Sequence, residues 1–173
     1  MLIWTEKPSP HNCETTNCGP KKFFCGRKHK FGLNMQAVCD VDGIFLDMSI
    51  CHPGATSDFL AFATSPLKHL LEKPGFLSPG LVLFGDNAYV NTRYMATPYK
   101  GVSGGSKEAY NYFHSSLRIR IECAFGMFVH RWGILRRPLS SSMGLGKITA
   151  LVMCFGSLHN FCIKHQVPYQ KYR

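Results

Sequence analysis

Two carboxylates stand where solubility does not call for them. Asp86 closes the apolar run Leu81-Val82-Leu83-Phe84 within Gly85-Asp86-Asn87, and Glu122 comes after 35 intervening residues, beside an apolar stripe of helical period. A run apolar on both faces reads as a buried central strand. The C-terminal ends of such strands are where open α/β sheets carry their functional groups. A strand-end Asp and a helix-borne Glu lying over one sheet can converge on a divalent cation, which favours hard oxygen ligands. Asp58, at the end of Pro53-Gly54-Ala55-Thr56-Ser57-Asp58, is a third candidate. Each acid also has a plainer role open to it. Asp86 can form a turn or cap a helix, Glu122 can pair with Arg118 at i, i+4, and Asp58 can be the N-cap of the next helix.

Phosphate is the substrate such a site would meet. Arg118 lies one helical turn before Glu122 and Gly126 one turn after it, leaving room for another group to approach. Lys100 opens a Gly- and Lys-containing loop, and Arg118 or Lys100 could stabilise a phosphate. His130, Arg131, Arg136 and Arg137 cluster around Trp132, and Lys21, Lys22, Arg27, Lys28, His29 and Lys30 alternate with Phe23, Phe24 and Phe31. Basic groups interleaved with aromatics suit a nucleic-acid backbone; a solvated charged face is the other reading. The whole chain carries 20 Lys+Arg against 10 Asp+Glu, a formal +10 that attracts polyanions. Nucleic acid is therefore the first partner to consider.

These groups need elements to position them. At 173 residues, 45% hydrophobic and 17% charged, the chain has the matter for one domain and too little charge for intrinsic disorder. Residues 1–20 read as an irregular lead-in, 21–165 as the folded domain and 166–173 as a tail. Phe31–Val38 and Ile44–Ser49 predict an antiparallel hairpin around Asp40-Val41-Asp42-Gly43. Ser57-Asp58 and Ser65-Pro66 each start a short helix, the second ended by Pro74-Gly75. Tyr110, Phe113, Leu117, Ile121, Ala124, Phe128 and Trp132 recur in steps of three and four, predicting a long amphipathic helix. A last helix, about Lys147 to Lys164, is apolar around most of its circumference and predicts deep burial. Strands followed by helices give a mixed α/β layer fold.

No signal peptide is legible at the start, and Ile148–Ile163 is short for a membrane span, so the reading is soluble, intracellular and without a membrane partner. The eight cysteines form no CxxC pair, and most read as small buried hydrophobes with free thiols. A zinc site from Cys13, Cys18 and Cys25 with His11 or His29 is the weaker alternative, and a secreted disulfide-stapled protein weaker still.

The ordered set Val38-Cys39-Asp40, Phe45-Leu46-Asp47, Pro53 to Asp58, Gly85-Asp86-Asn87-Ala88-Tyr89, Thr97-Pro98-Tyr99, Asn111-Tyr112-Phe113-His114, Arg118 to Gly126 and Leu158-His159-Asn160-Phe161 resembles the catalytic domain of PIF/Harbinger transposases and the nucleases derived from them. The resemblance covers nearly everything after residue 21. It implies an RNase H-like mixed sheet flanked by helices, and a DDE-type nuclease that hydrolyses phosphodiester bonds with two divalent cations, Mg²⁺ or Mn²⁺. By that resemblance Asp86 and Glu122 match the second and third catalytic carboxylates, Asp58 a further acid of the metal site, and the nucleus the compartment.

One departure is at the front. The family's first catalytic Asp ends the first core strand, and Met1-Leu2-Ile3-Trp4 resembles the apolar stretch immediately after that Asp, so the expectation is an incomplete first strand with the Asp missing. The helical DNA-binding region of full-length relatives is also missing, which makes a separate DNA-binding partner protein an expectation. The leading reading is a transposase-derived nuclease with activity weakened by the missing acid. The alternative is a non-catalytic nucleic-acid-binding or protein-interaction module of the same descent.

Overall fold

A computed structural model describes residues 1–7, 20–26 and 28–168. The zinc alternative rests on His11, Cys13 and Cys18, which lie outside the described residues, as do Arg27, most of the lead-in and residues 169–173. The hairpin forms around the predicted turn. The Oδ1 of Asp40 accepts hydrogen bonds from the backbone N–H groups of Asp42 and Ile44 at 3.0 and 2.9 Å, and Gly43 takes the left-handed conformation at φ +85°. β1 is Leu2–Trp4, β2 Phe24–Cys25, β3 Lys30–Cys39 and β4 Phe45–Pro53. β3 pairs antiparallel with β1 on one edge and with β2 and β4 on the other, giving a four-stranded sheet. β1 can lie this close because Gly32 has no side chain; a Cβ there would collide with the carbonyl oxygen of Ile3.

Two helices cover one face of that sheet. α3, Gly105–Arg131, buries Ala124 and Phe128, and α4, Leu145–Lys164, buries Ile148, Val152, Gly156 and His159. Between them the Phe45 ring is enclosed by Phe125, Phe128 and His159 at centroid distances of 5.7, 5.5 and 5.0 Å. The hairpin is also clamped by polar groups of α4. His159 Nε2 donates to the Gly43 carbonyl at 3.2 Å, and the Asn160 amide both donates to the Phe45 carbonyl and accepts from its N–H, each at 2.8 Å. The short helices begin as predicted. Ser57 caps α1, Asp58–Ala63, and Ser65 caps α2, Pro66–Glu72, with Pro66 in the first turn.

Four expectations need correction. Leu81–Phe84 is not a buried central strand: β5 is only Leu83–Phe84, paired parallel with β6, Met95–Ala96, in a sheet separate from the first. Turns on both sides bound it, Ser78–Leu81 around Gly80 at φ +84° and then the Asp86 turn, and both Leu81 and Phe84 are exposed. The stripe of α3 is buried only where the helix crosses the large sheet; Phe113 and Leu117, in its first half, are exposed. α4 buries a single face and leaves Met153, Leu158 and Phe161 in solvent, and its 20 residues reach the length and composition of a membrane span. Of the six described cysteines, Cys51, Cys123 and Cys154 are exposed and Cys25, Cys39 and Cys162 half-buried, all with free thiols. The fold is mixed α/β, as expected, with the two strand sets separate.

Removing the clamp exposes its weight. Asn160→Ala leaves the N–H and C=O of Phe45 without their partners, at about 1–3 kcal/mol for each buried group. Denaturant unfolding is expected to show a loss of about 2–4 kcal/mol, and a change under about 0.5 kcal/mol would contradict the clamp.

Candidate functional site

Alternation along β3 sends Leu33, Met35 and Ala37 toward the helices and Asn34 and Gln36 to the opposite face. Those two amides reach the start of α1. Asn34 Nδ2 donates to the Thr56 carbonyl and to Asp58 Oδ1, both at 3.0 Å, and Gln36 Nε2 donates to the Asp58 carbonyl at 2.7 Å. Asp58 is therefore the first helical residue after the Ser57 cap, with its carboxylate drawn back onto the sheet. Asp86 stands just past β5, where its Oδ1 accepts from the Ala88 N–H at 2.8 Å and its carbonyl from the Tyr89 N–H at 3.2 Å. It is the turn-former that the plainer reading allowed. Glu122 is paired with Arg118 one turn earlier on α3, and its side chain is 56% exposed.

All three carboxylates nonetheless share one cavity. Asp58, Asp86 and Glu122 line a space of about 260 Å³, together with Arg118, Gln36 and Tyr89. Tyr89 lies within electrostatic reach of the first two acids. Burial pushes its phenol well above the ordinary tyrosine range, and the negative charges of Asp58 and Asp86 push it further in the same direction. Gln36 Nε2 reaches its hydroxyl at 3.4 Å. Three acids separated by up to 64 positions in the chain thus line one cavity.

Residues 5–160 match the family described as DDE superfamily endonuclease. The chain belongs to that family. Among curated proteins and among solved structures, none matches it. DDE superfamily endonucleases act on DNA and generally use divalent metals, so the cavity has to be tested for its fitness to hold one. The donor chemistry fits, being carboxylate oxygen on three elements. The arrangement as folded does not: among the described residues, no three His, Cys, Asp or Glu side chains form a group that could hold an ion.

Of the described basic candidates, Arg118 alone lines this cavity. Arg131 is nine residues past Glu122, about 13 Å along the helix axis. Arg136 and Arg137 are exposed beyond it, with Arg136 against the His130 ring. Lys28 and Lys30 are exposed where β3 begins, Lys30 placing its ammonium 3.2 Å from the centre of the Trp4 ring. Lys100 is exposed in the loop before α3.

Sequence reasoning assigned no role to Asn34, Gln36 or Tyr89. The signal was present in the alternation Leu33-Asn34-Met35-Gln36-Ala37, since amides facing away from a core strip and yet buried, as Asn34 is at 7% exposure, must be holding something.

Tyr89 reports directly on its neighbours. Carbon-13 NMR of the tyrosine rings is expected to show Tyr89 keeping its proton above pH 10, where a free tyrosine ionises, with the Asp58→Asn/Asp86→Asn variant ionising at lower pH than the parent. No downward shift in the variant would remove the two acids from its surroundings, and ordinary titration of Tyr89 in the parent would contradict the burial of its phenol.

Proposed function

We propose that this DDE endonuclease domain is of PIF/Harbinger transposase descent, with an RNase H-like layout, and that its target is the phosphodiester backbone of DNA. Asp86 and Glu122 are the catalytic carboxylates in this reading, Asp58 a further acid of the same site, and Mg²⁺ or Mn²⁺ the ion they would hold. The ordered motif set supports the subfamily. The observation that carries the chemistry is the shared cavity of Asp58, Asp86 and Glu122 within the family match.

The chemistry such an ion supplies when bound is stabilisation of charge on the attacking and leaving oxygens of a phosphodiester. The chain's own residues prepare the place. Asn34 fixes the Asp58 carboxylate, the turn at Asp86 sets that carboxylate at the cavity wall, and Gln36 orients the Tyr89 hydroxyl. Arg118 holds Glu122 and brings one positive charge to where a phosphate would enter. The pair is a weak restraint, since i, i+4 pairs at a helix surface are worth about 0.3–0.5 kcal/mol. Glu122 can exchange Arg118 for another cation at little cost.

The basic clusters at Arg131, Arg136 and Arg137 and at Lys28 and Lys30 lie away from the cavity, which suits contacts to DNA flanking the cut. Lys100 is a further phosphate contact in this proposal, a separate DNA-binding protein the expected partner, and the nucleus the compartment, all on the resemblance.

A second reading is favoured by a specific observation, the absence among the described residues of a ready metal-holding group. It keeps DNA binding and drops the chemistry. Plasmid DNA incubated with the protein and Mn²⁺ separates the two. The nuclease reading expects slow nicking that chelator stops and that Asp86→Ala and Glu122→Ala each abolish. Nicking unchanged in Asp86→Ala would overturn the site assignment. No nicking, no Mn²⁺ binding by calorimetry, and full DNA affinity in the double variant would establish the binding module instead.

A further inference from the structure

Two Pro-Gly tetrapeptides, Lys73-Pro74-Gly75-Phe76 and Ser78-Pro79-Gly80-Leu81, follow α2 with only Leu77 between them. Each folds as the type II turn that a Pro-Gly pair specifies. Gly75 and Gly80 take the left-handed conformation at φ +76° and +84°. The turns close with N–H groups donated by Phe76 to the Lys73 carbonyl at 3.4 Å and by Leu81 to the Ser78 carbonyl at 3.1 Å. Leu77 packs against the buried cluster of Leu71, Tyr94 and Met95, which ties both turns to the second sheet.

The paired turns and Arg93, just before β6, wall a cavity of about 190 Å³. Lys73 and Arg93 line it, and no Asp or Glu does. The neighbouring acid, Glu72, has its carboxylate on the Lys68 ammonium at 2.6 Å. Arg93 is held in place by donating from Nη2 to the Glu72 carbonyl at 2.6 Å, a bond that leaves most of its five N–H donors unused. The N–H groups of Gly75, Leu77, Ser78 and Gly80 make no hydrogen bond to another described residue. Nothing lies within 4 Å of where a side chain would stand on either glycine, so a ligand can reach the bare backbone there.

Two cations beside a run of unpaired N–H groups complement an oxyanion, and turn backbones with free N–H groups form concavities that hold one. We propose that this cavity binds a phosphate group, with Arg93 and Lys73 on its oxygens and the N–H groups of the paired turns completing the shell. Phosphate suits it better than carboxylate, because tetrahedral oxygens diverge toward several walls at once. Two sources supply that group, a nucleic-acid backbone or a free phosphate. The site lies at the far end of β5 from Asp86. Leu81 comes five residues earlier, up to about 16 Å of extended chain, a span that one nucleic-acid strand bridges. The inference goes beyond the nuclease reading and does not depend on it, since binding phosphate here requires neither a metal nor a cut.

Nitrogen-15 NMR of the full chain reads the turn amides during titration with inorganic phosphate at constant ionic strength, and separately with a short DNA strand that carries no terminal phosphate. Saturable shifts are expected at Gly75, Leu77, Ser78 and Gly80, and none when chloride replaces phosphate. Lys73→Gln and Arg93→Gln are each expected to weaken binding about tenfold, from the loss of a charge-assisted hydrogen bond. The Lys73 side chain makes no bond to another described residue, so its variant keeps the test decisive even if Arg93→Gln disturbs the loop. Shifts of the same four amides by the DNA strand assign the backbone as the source; shifts by phosphate alone assign a free phosphate, and either result upholds the site. No saturable shift with either probe, shifts spread over other basic surfaces and sparing these turns, or unchanged affinity in Lys73→Gln overturns the proposal. A failed nicking assay leaves this result untouched, and a failed phosphate titration leaves the carboxylate cavity untouched.

Discussion

The grip of α4 on the β3–β4 hairpin fixes the rest of the structure. Asn160 satisfies both backbone groups of Phe45 and His159 holds the Gly43 carbonyl, so the start of β4 is bonded to a helix and its edge is covered. That fixes which face of the sheet is the core. Phe45, Met35, Ile50 and Leu33 then pack with Phe128, Ile148 and Val152 on the helical side. The reverse face is left for Asn34 and Gln36, and those amides draw α1, with Asp58, onto the sheet. The same helical layer sets α3, which carries Arg118 and Glu122 past the edge of β3. His159 is buried, its basicity lowered chiefly by burial, so its ring stays neutral as a donor to Gly43. A neutral ring costs less to bury among Phe45 and Phe128 than a charged one.

Each carboxylate already has a partner within the protein. Asp58 has the Asn34 amide, Asp86 has the Ala88 N–H, and Glu122 has Arg118. Each arrangement meets a plainer need, in helix start, turn or surface pair. The hydrogen bonds to Asp58 and Asp86 contribute about 1.5–3 kcal/mol each, and the surface pair of Glu122 about 1 kcal/mol or less. What distinguishes the three from ordinary surface acids is the cavity they share and the half-buried Tyr89 whose phenol feels two of them. In a chain with only ten acids, that coincidence and the family match together carry the functional reading.

Much of this was legible in the residues because it is local. The Asp-Gly turn, the Ser57 and Ser65 caps and the 3.6-residue period of α3 depend on neighbours in sequence, and they formed where expected. The ordered motifs led to Asp58, Asp86 and Glu122, and these do share a cavity. What failed depended on distant partners. Leu81–Phe84 has the composition of a central strand, but a central strand needs a neighbour on each edge and a packed layer over each face, and β5 pairs only with β6 and leaves Leu81 and Phe84 exposed. Phe113 and Leu117 obey the helical period, yet the sheet is too short to cover the first half of α3. The roles of Asn160 and Tyr89 come from contacts across 115 and 53 positions, which spacing alone does not show.

Whether the cavity of Asp58, Asp86 and Glu122 is a cation site inherited from a DNA-cutting enzyme is decided by crystals of the protein grown with Mn²⁺, with anomalous scattering recorded for the metal. A manganese peak is expected inside this cavity, with oxygens of Asp86 and Glu122 at about 2.0–2.6 Å and Glu122 turned away from Arg118. An empty cavity at millimolar Mn²⁺, with Glu122 still paired to Arg118, would contradict it.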